Sequence, residues 1–79
     1  MTKAEVLAIF AQNGNFLRPD DVWVKLRPLP DRRSMYSYLG RLRQQGLLER
    51  GPATWRGQLR YRLTARGRAR LEYLRRQSQ

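Results

Sequence analysis

The central part of the chain places its hydrophobic residues at helical spacing. Met35, Leu39 and Leu42 follow one another at intervals of four and three residues, which puts them on one stripe of an α-helix. Asp31 can accept hydrogen bonds from the free amides of a first turn, and Gly46 can adopt the left-handed conformation that ends a helix. The pattern therefore predicts an amphipathic helix between these two residues, with its apolar stripe facing a core.

The opposite face of this predicted helix carries side chains suited to nucleic acid. Arg33, Arg41 and Gln44 lie roughly opposite the apolar stripe, and Arg and Gln can form paired hydrogen bonds with guanine and adenine in the major groove. Gly40 inside a helix costs about 1 kcal/mol relative to Ala, which either close approach of a ligand or close packing of a neighbouring element would offset. The alternative to a DNA-contacting face is a solvated one. The candidate DNA-binding residues of this helix are Arg32, Arg33, Ser34, Tyr36, Ser37, Gly40, Arg41 and Gln44.

Two shorter patterns precede the central helix and predict helices of their own. The first begins at Thr2, which can form a capping box with Glu5, and the second begins within 18–21, where a proline and two acids suit a first turn. Pro28 and Pro30 then stop the second helix and form a four-residue turn with their neighbours. Two helices joined by such a turn are typical of the helix-turn-helix unit. The residues expected to point inward are Val6, Leu7, Phe10, Ala11, Val22, Trp23, Leu26 and Leu29.

After Gly46 the hydrophobic period changes from that of a helix to that of a strand. The segments 47–50 and 59–63 are short, and apolar residues alternate with arginines in the second. They predict two antiparallel strands joined by a basic loop, with a bridge-like strand at 16–17. The apolar residues of 59–63 are expected to face the helices and its arginines to face outward. The candidate contacts to the nucleic-acid backbone are Arg56, Arg60 and Arg62.

A last helix is predicted over about 65–76, with Thr64 as its cap. It has two apolar edges well apart around its axis, with Tyr73 and small residues on one edge and Leu71 and Leu74 on the other. One edge is enough to cover the domain's own core. We therefore expect the leucine edge to be left over and to form a homodimer interface.

Charge and composition narrow the class of partner. The 79 residues make a single domain, 1–79, with 17 Lys plus Arg against 6 Asp plus Glu, a net charge of +11. Such an excess favours a polyanion, because each phosphate that is neutralised releases condensed counterions. The chain has no Cys and no His, so thiolate chemistry, an imidazole base and the usual zinc ligands are excluded. We expect no enzyme, no cofactor and no metal site.

The expected location follows from the same composition. No apolar run approaches the roughly 20 residues that span a bilayer, and the N-terminal segment has no signal-peptide core. We therefore expect no membrane partner and a cytoplasmic, nucleoid-associated protein.

Two segments resemble the winged-helix DNA-binding family. Residues 38–50, YLGRLRQQGLLER, and residues 61–67, YRLTARG, are similar to the end of the recognition helix and to the strand-to-last-helix junction of small bacterial and archaeal regulators of the PadR, MarR and ArsR type. The resemblance implies an α+β, mainly helical winged helix-turn-helix with a three-helix core, a two- to three-stranded antiparallel wing and a C-terminal helix. It also implies a recognition helix of about 31–46 in the major groove, a wing of about 51–60 on the backbone or minor groove, and dimerisation through the terminal helices. The lack of Cys and His departs from the metal-sensing members.

Three functions of different classes stay open on this sequence. The first is a sequence-specific regulator of transcription that binds double-stranded DNA as a homodimer on a pseudo-palindromic site. The second is an architectural, replication or phage-type DNA factor or an RNA-binding winged helix. The third is a protein-interaction module, because a fold alone does not fix a function. The basic face of the central helix favours the first.

Overall fold

Four helices and two short strands follow one another in the computed structural model, which describes residues 1–52, 57 and 59–77. The two strands pair antiparallel, with Glu49 opposite Arg62. The described part of the chain is thus α+β and mainly helical, as predicted. The elements are α1 (Lys3–Gln12), α2 (Pro19–Trp23), α3 (Arg32–Gln44), β1 (Leu48–Arg50), β2 (Tyr61–Leu63) and α4 (Ala65–Gln77).

The ends of α1 and α3 follow the capping residues that the sequence provides. Thr2 Oγ1 accepts a hydrogen bond from Glu5 N at 3.2 Å, and Asp31 Oδ2 accepts one from Ser34 N at 3.0 Å. Gly46, just beyond α3, has a φ of +79°, the left-handed conformation that glycine adopts without strain. The predicted starts at Thr2 and Asp31 and the predicted end at Gly46 are confirmed.

The start of α2 is fixed by an arginine and an acid. Arg18 N donates to Asp21 Oδ2 at 3.1 Å, and Arg18 Nη2 lies 3.3 Å from the other carboxylate oxygen. The hydrogen bond from the guanidinium holds the pKa of the Asp21 carboxyl below its ordinary value and raises the pKa of Arg18. Pro19 occupies the first turn, where its missing N–H costs nothing.

The connection after α2 differs from the prediction in its length and in one inward position. The predicted four-residue turn is wrong, because α2 ends at Trp23 and residues 24–31, eight in all, connect it to α3. The amides of Lys25 and Leu26 donate to carbonyls three residues back, in a turn that does not continue the helix. Leu26 is buried at 2% exposure, but the predicted inward position of Leu29 is wrong, because its side chain is 49% exposed. Trp23 Nε1 donates to the carbonyl oxygen of Pro30 at 2.8 Å, so the indole fixes the end of the connection between α2 and α3. Leu26 is the residue of this connection that enters the core. Trp23 itself is partly buried against that core.

The core is built around the apolar stripe of α3. Met35, Leu39 and Leu42 are fully buried, as the spacing predicts. Removing such side chains from water is the main source of stability in a domain of this size. Ala11 is only partly buried. The other buried core residues are Val6, Leu7, Ile9, Phe10, Val22, Leu26, Leu47, Leu48, Tyr61, Leu63 and Leu71. Of these, Ile9, Leu47 and Leu48 were not predicted to be buried, and Leu71 was expected at a dimer interface.

The short strands bring the connection between α1 and α2 against the C-terminal half of the chain. Leu17 and Tyr61 exchange two backbone hydrogen bonds, each 2.8 Å long, and form the predicted bridge. Tyr61 and Leu63 are buried and Arg62 between them is exposed, which confirms the predicted alternation. The predicted inward position of Leu59 is wrong, because this residue precedes β2 and is 38% exposed.

A tight junction joins the end of α3 to the start of α4. Thr64 Oγ1 lies 2.6 Å from the carbonyl oxygen of Gly46 and accepts a hydrogen bond from Gly67 N at 2.9 Å. A Cβ added at Gly67 would lie 2.7 Å from Leu63 Cδ1 and closer still to the carbonyl oxygen of Leu47. Glycine is therefore required there by close packing, and α4 is held directly against the segment that leaves α3.

The edge of α4 that covers the core is the one that was expected to be free. Leu71 is buried at 3% exposure, and Leu74 packs partly against the same core. Tyr73 on the other edge is 45% exposed. The assignment of Leu71 and Leu74 to a free homodimer edge is therefore wrong, because packing of α4 on α1 uses the leucine edge within the monomer. No helix within the described residues is long and apolar enough to cross a membrane.

Candidate nucleic-acid interface

One side of α3 presents a continuous surface opposite its buried stripe. The side chains of Arg33 and Arg41 are exposed and form no hydrogen bond or ion pair with any residue that the structure describes. Ser37 and Gln44 are exposed in the same way, and Gly40 between them is half-buried. These side chains have no hydrogen-bond or ion-pair partner among residues 1–52, 57 and 59–77. The α3 stripe consists of Arg33, Ser37, Gly40, Arg41 and Gln44.

Gly40 makes a low point in the middle of the α3 stripe. A Cβ placed on this residue would meet no atom of any other element within 4 Å among the described residues. Close packing of a neighbouring element, one of the two explanations for a glycine here, is therefore excluded within that part of the chain. The helix bears the propensity cost of glycine, about 1 kcal/mol, at a position that faces outward.

At the N-terminal end of α3, two of the candidate residues have intramolecular partners. Ser34 Oγ donates to Asp31 Oδ2 at 3.1 Å, so this hydroxyl reinforces the N-cap. The guanidinium of Arg32 lies 4.6 Å from the centre of the Trp23 ring, a cation–π contact. Arg32 and Ser34 therefore support the start of the helix, in contrast to the residues of the α3 stripe.

Tyr36 is tied to α2 by a hydrogen bond that sequence reasoning missed. Its hydroxyl donates to Asp20 Oδ1 at 2.7 Å, and Arg32 Nε lies 3.7 Å from the same oxygen. The bond to the carboxylate raises the pKa of the Tyr36 phenol above its ordinary value. Asp20 was expected only to favour the start of α2, since nothing local in the sequence connects two residues 16 positions apart.

Two arginines of the β1–β2 hairpin, Arg60 and Arg62, lie over the ring of Phe16 at the base of the hairpin. Arg62 Nε donates to Glu49 Oε1 at 2.8 Å, and its guanidinium lies 4.5 Å from the Phe16 ring centre. Arg60 was expected to face outward, but it is half-buried. Its guanidinium lies 5.9 Å from the Phe16 ring centre, and its Nη2 donates to the carbonyl oxygen of Pro52 at 3.2 Å. Both residues thus fix the hairpin base. The third predicted backbone contact, Arg56, lies outside the described residues.

The described residues contain no group of three or more His, Cys, Asp or Glu side chains that could hold a metal ion.

Comparison with protein-family models, with curated proteins and with solved structures finds no match for this chain. The α3 stripe presents exposed guanidinium, amide and hydroxyl groups, on a chain whose net charge is +11.

Proposed function

We propose that this protein is a sequence-specific regulator of transcription that binds double-stranded DNA through α3. The observation that carries the proposal is the α3 stripe, whose guanidinium, hydroxyl and amide groups have no described intramolecular partner. A helix about 10–12 Å across fits the major groove, which is about 12 Å wide. Arg33, Arg41 and Gln44 supply the donors and acceptors that distinguish base pairs there.

The arrangement of elements supports this proposal. α2 precedes α3 across a turn, and the β1–β2 hairpin follows α3 with its base against Phe16. We propose that this is a winged helix-turn-helix, in which α3 is the recognition helix and the hairpin lies beside the flanking backbone. In such a complex the exposed Arg62 is close to phosphate, and the half-buried Arg60 acts mainly by holding the hairpin.

The positive charge of the chain provides affinity for DNA of any sequence, which brings a regulator onto the duplex before it reaches its specific site. A net charge of +11 attracts any duplex, and contacts to six to ten phosphates weaken about 10³- to 10⁵-fold between 50 and 200 mM salt. Contacts from the α3 stripe then add discrimination of about 1–3 kcal/mol for each well-matched base pair. The proposal places the protein in the cytoplasm with the nucleoid, without catalytic activity, and as a homodimer whose interface is not the Leu71–Leu74 edge that packs on the core.

A fluorescence titration tests the proposal directly. Random-sequence duplex is titrated with protein over a salt series, with single-stranded RNA as a competitor, and a selection then yields a preferred site. We expect Arg33→Ala or Arg41→Ala to cost about 1–3 kcal/mol on the preferred site and to relax base preference. Arg76→Ala, which removes the same charge from an exposed position at the end of α4, is the matched control and should weaken preferred and random duplexes alike.

The other outcomes of this experiment refute the proposal. Preference for single-stranded RNA, or binding of random and selected duplex with equal affinity, would favour the RNA-binding or architectural function. Absence of binding to both polyanions at low salt would favour a protein-interaction module. Equal effects of Arg41→Ala and Arg76→Ala on both duplexes would remove α3 as the reading element.

A further inference from the structure

Tyr36, at the margin of the α3 stripe, donates its only hydroxyl proton to Asp20 of α2. Tyr36 Oη lies 2.7 Å from Asp20 Oδ1, and the tyrosine is 41% exposed. An ionised carboxylate can only accept a hydrogen bond, whereas a neutral phenol has one proton and free lone pairs. The proton therefore lies toward Asp20, and the phenol oxygen of this exposed residue is left as an acceptor.

The surroundings of Asp20 hold this orientation. Arg32 Nε lies 3.7 Å from the carboxylate oxygen that accepts from Tyr36, and the Arg32 guanidinium is stacked 4.6 Å from the Trp23 ring centre. The carboxylate thus has a positive neighbour that is itself supported by an aromatic ring. The hydrogen bond also raises the pKa of Tyr36, so the phenol stays protonated well above neutral pH.

The position of Tyr36 is next to the groups proposed to read bases. It follows Arg33 by three residues and precedes Gly40 by four, and residues at these spacings are neighbours on a helix surface. A phosphate at this point would meet no free donor on the Tyr36 hydroxyl, whose proton is given to Asp20. The hydroxyl oxygen itself therefore favours a hydrogen-bond donor.

In the major groove, the donors on base edges are the amino groups of adenine N6 and cytosine N4, while guanine and thymine present acceptors. Resting on the function proposed above, we infer that Tyr36 accepts a hydrogen bond from an adenine or cytosine amino group, and that Asp20 is the positioning residue that sets this polarity. Every base pair carries one such amino group. The inference therefore concerns which of the two strands carries the amino group that Tyr36 contacts. On that strand, adenine or cytosine is preferred to thymine or guanine at the contacted position.

Inverting single base pairs within the selected site tests this inference. Each A·T is changed to T·A and each C·G to G·C, and binding is measured by fluorescence anisotropy. For the unmodified protein we expect one position in each half-site where inversion weakens binding about tenfold, the scale of one lost base contact. Tyr36→Phe should reduce that effect to below about threefold and leave the effects at other positions unchanged. Tyr73→Phe, on the exposed edge of α4, is the matched control and should change none of them.

A second variant separates orientation from mere contact. Asp20→Ala removes the acceptor on α2 and frees the Tyr36 proton, so that guanine and thymine become acceptable at the same position. We expect the tenfold preference to fall to about twofold or less with Asp20→Ala while Tyr36 is still present. Circular dichroism of both variants checks that the helical content is unchanged, and Tyr36→Phe alone still tests the inference if Asp20→Ala unfolds.

The possible failures are distinguishable. Loss of all duplex binding, or binding that ignores Arg41→Ala, refutes the proposed function. Duplex binding that depends on Arg41 but has no position sensitive to Tyr36→Phe overturns only the present inference. A Tyr36-dependent position that prefers guanine or thymine overturns it, and so does a uniform loss of affinity for all sequences, because the tyrosine would then be a donor to base acceptors or to phosphate.

Discussion

Replacing Gly40 by Ala should raise the stability of the protein and lower its affinity for DNA. An added Cβ would meet no other element of the described chain within 4 Å, so no steric cost opposes the gain in helix propensity. That gain is about 0.8–1 kcal/mol for glycine to alanine in a helix interior. For a domain of 60–100 residues, 1 kcal/mol shifts the melting temperature by about 4–8 °C.

The expected effect on DNA binding has the opposite sign. If base edges or backbone approach the low point of the α3 stripe, an added methyl group intrudes into that contact. Overfilling a close-packed contact costs about 1–3 kcal/mol, which corresponds to roughly a 5- to 150-fold weaker complex. Thermal unfolding followed by circular dichroism and anisotropy titrations on the same samples measure the two effects together.

Gly67→Ala is the contrasting variant, because the same chemical change there overlaps the Leu47 carbonyl oxygen and Leu63 Cδ1. We expect it to lower the free energy of unfolding by at least about 2 kcal/mol. A destabilised Gly40→Ala protein would refute the view that Gly40 faces open space. A stabilised protein with unchanged DNA affinity would show that the partner does not approach α3 at this point.

Three further predictions concern stability, each measured by urea unfolding. Thr64→Val should cost about 1–2 kcal/mol, because it removes the hydroxyl that accepts from Gly67 N and contacts the Gly46 carbonyl oxygen; an unchanged midpoint would contradict this role. Leu71→Ala should cost about 2–5 kcal/mol as a core truncation, and a loss below about 1 kcal/mol would show that this edge is not packed. The folded-state pKa of Asp21 lies below its ordinary value of 3.8. Its contribution to the free energy of unfolding is therefore present above pH 3.8 and is lost as the pH falls through the lower, folded-state pKa. Asp21→Asn should flatten this acid dependence of stability, and an identical pH profile would contradict the ion pair between Asp21 and Arg18.

Features set by neighbouring residues were predictable from the sequence. The buried stripe of α3 and the caps at Thr2 and Asp31 depend on spacing within a few residues. The break at Gly46 likewise needs only the conformational freedom of one residue. Local spacing and capping residues of this kind are enough to predict the helices and the exposed basic face of α3.

Features set by tertiary packing were not predictable in the same way. The sequence shows two apolar edges on α4, but only the position of α1 decides that Leu71 is buried and Tyr73 exposed. The Asp20–Tyr36 hydrogen bond likewise depends on the angle between α2 and α3. For the hairpin, alternation correctly places Arg62 outward, yet it cannot show that Phe16 lies under its guanidinium.

The backbone bridge between Leu17 and Tyr61 has a consequence for how this protein is made. The core takes α1 from one half of the chain and β2 and Leu71 from the other, so long-range contacts are needed before burial is complete. Before the residues of β2 and Leu71 are synthesised, the apolar side chains of the α1 and α3 segments have no partner from this half of the chain to bury them. Folding during synthesis is therefore delayed until the segment from Tyr61 to Leu71 has left the ribosome, and a chain that stalls before then exposes the surface that chaperones bind.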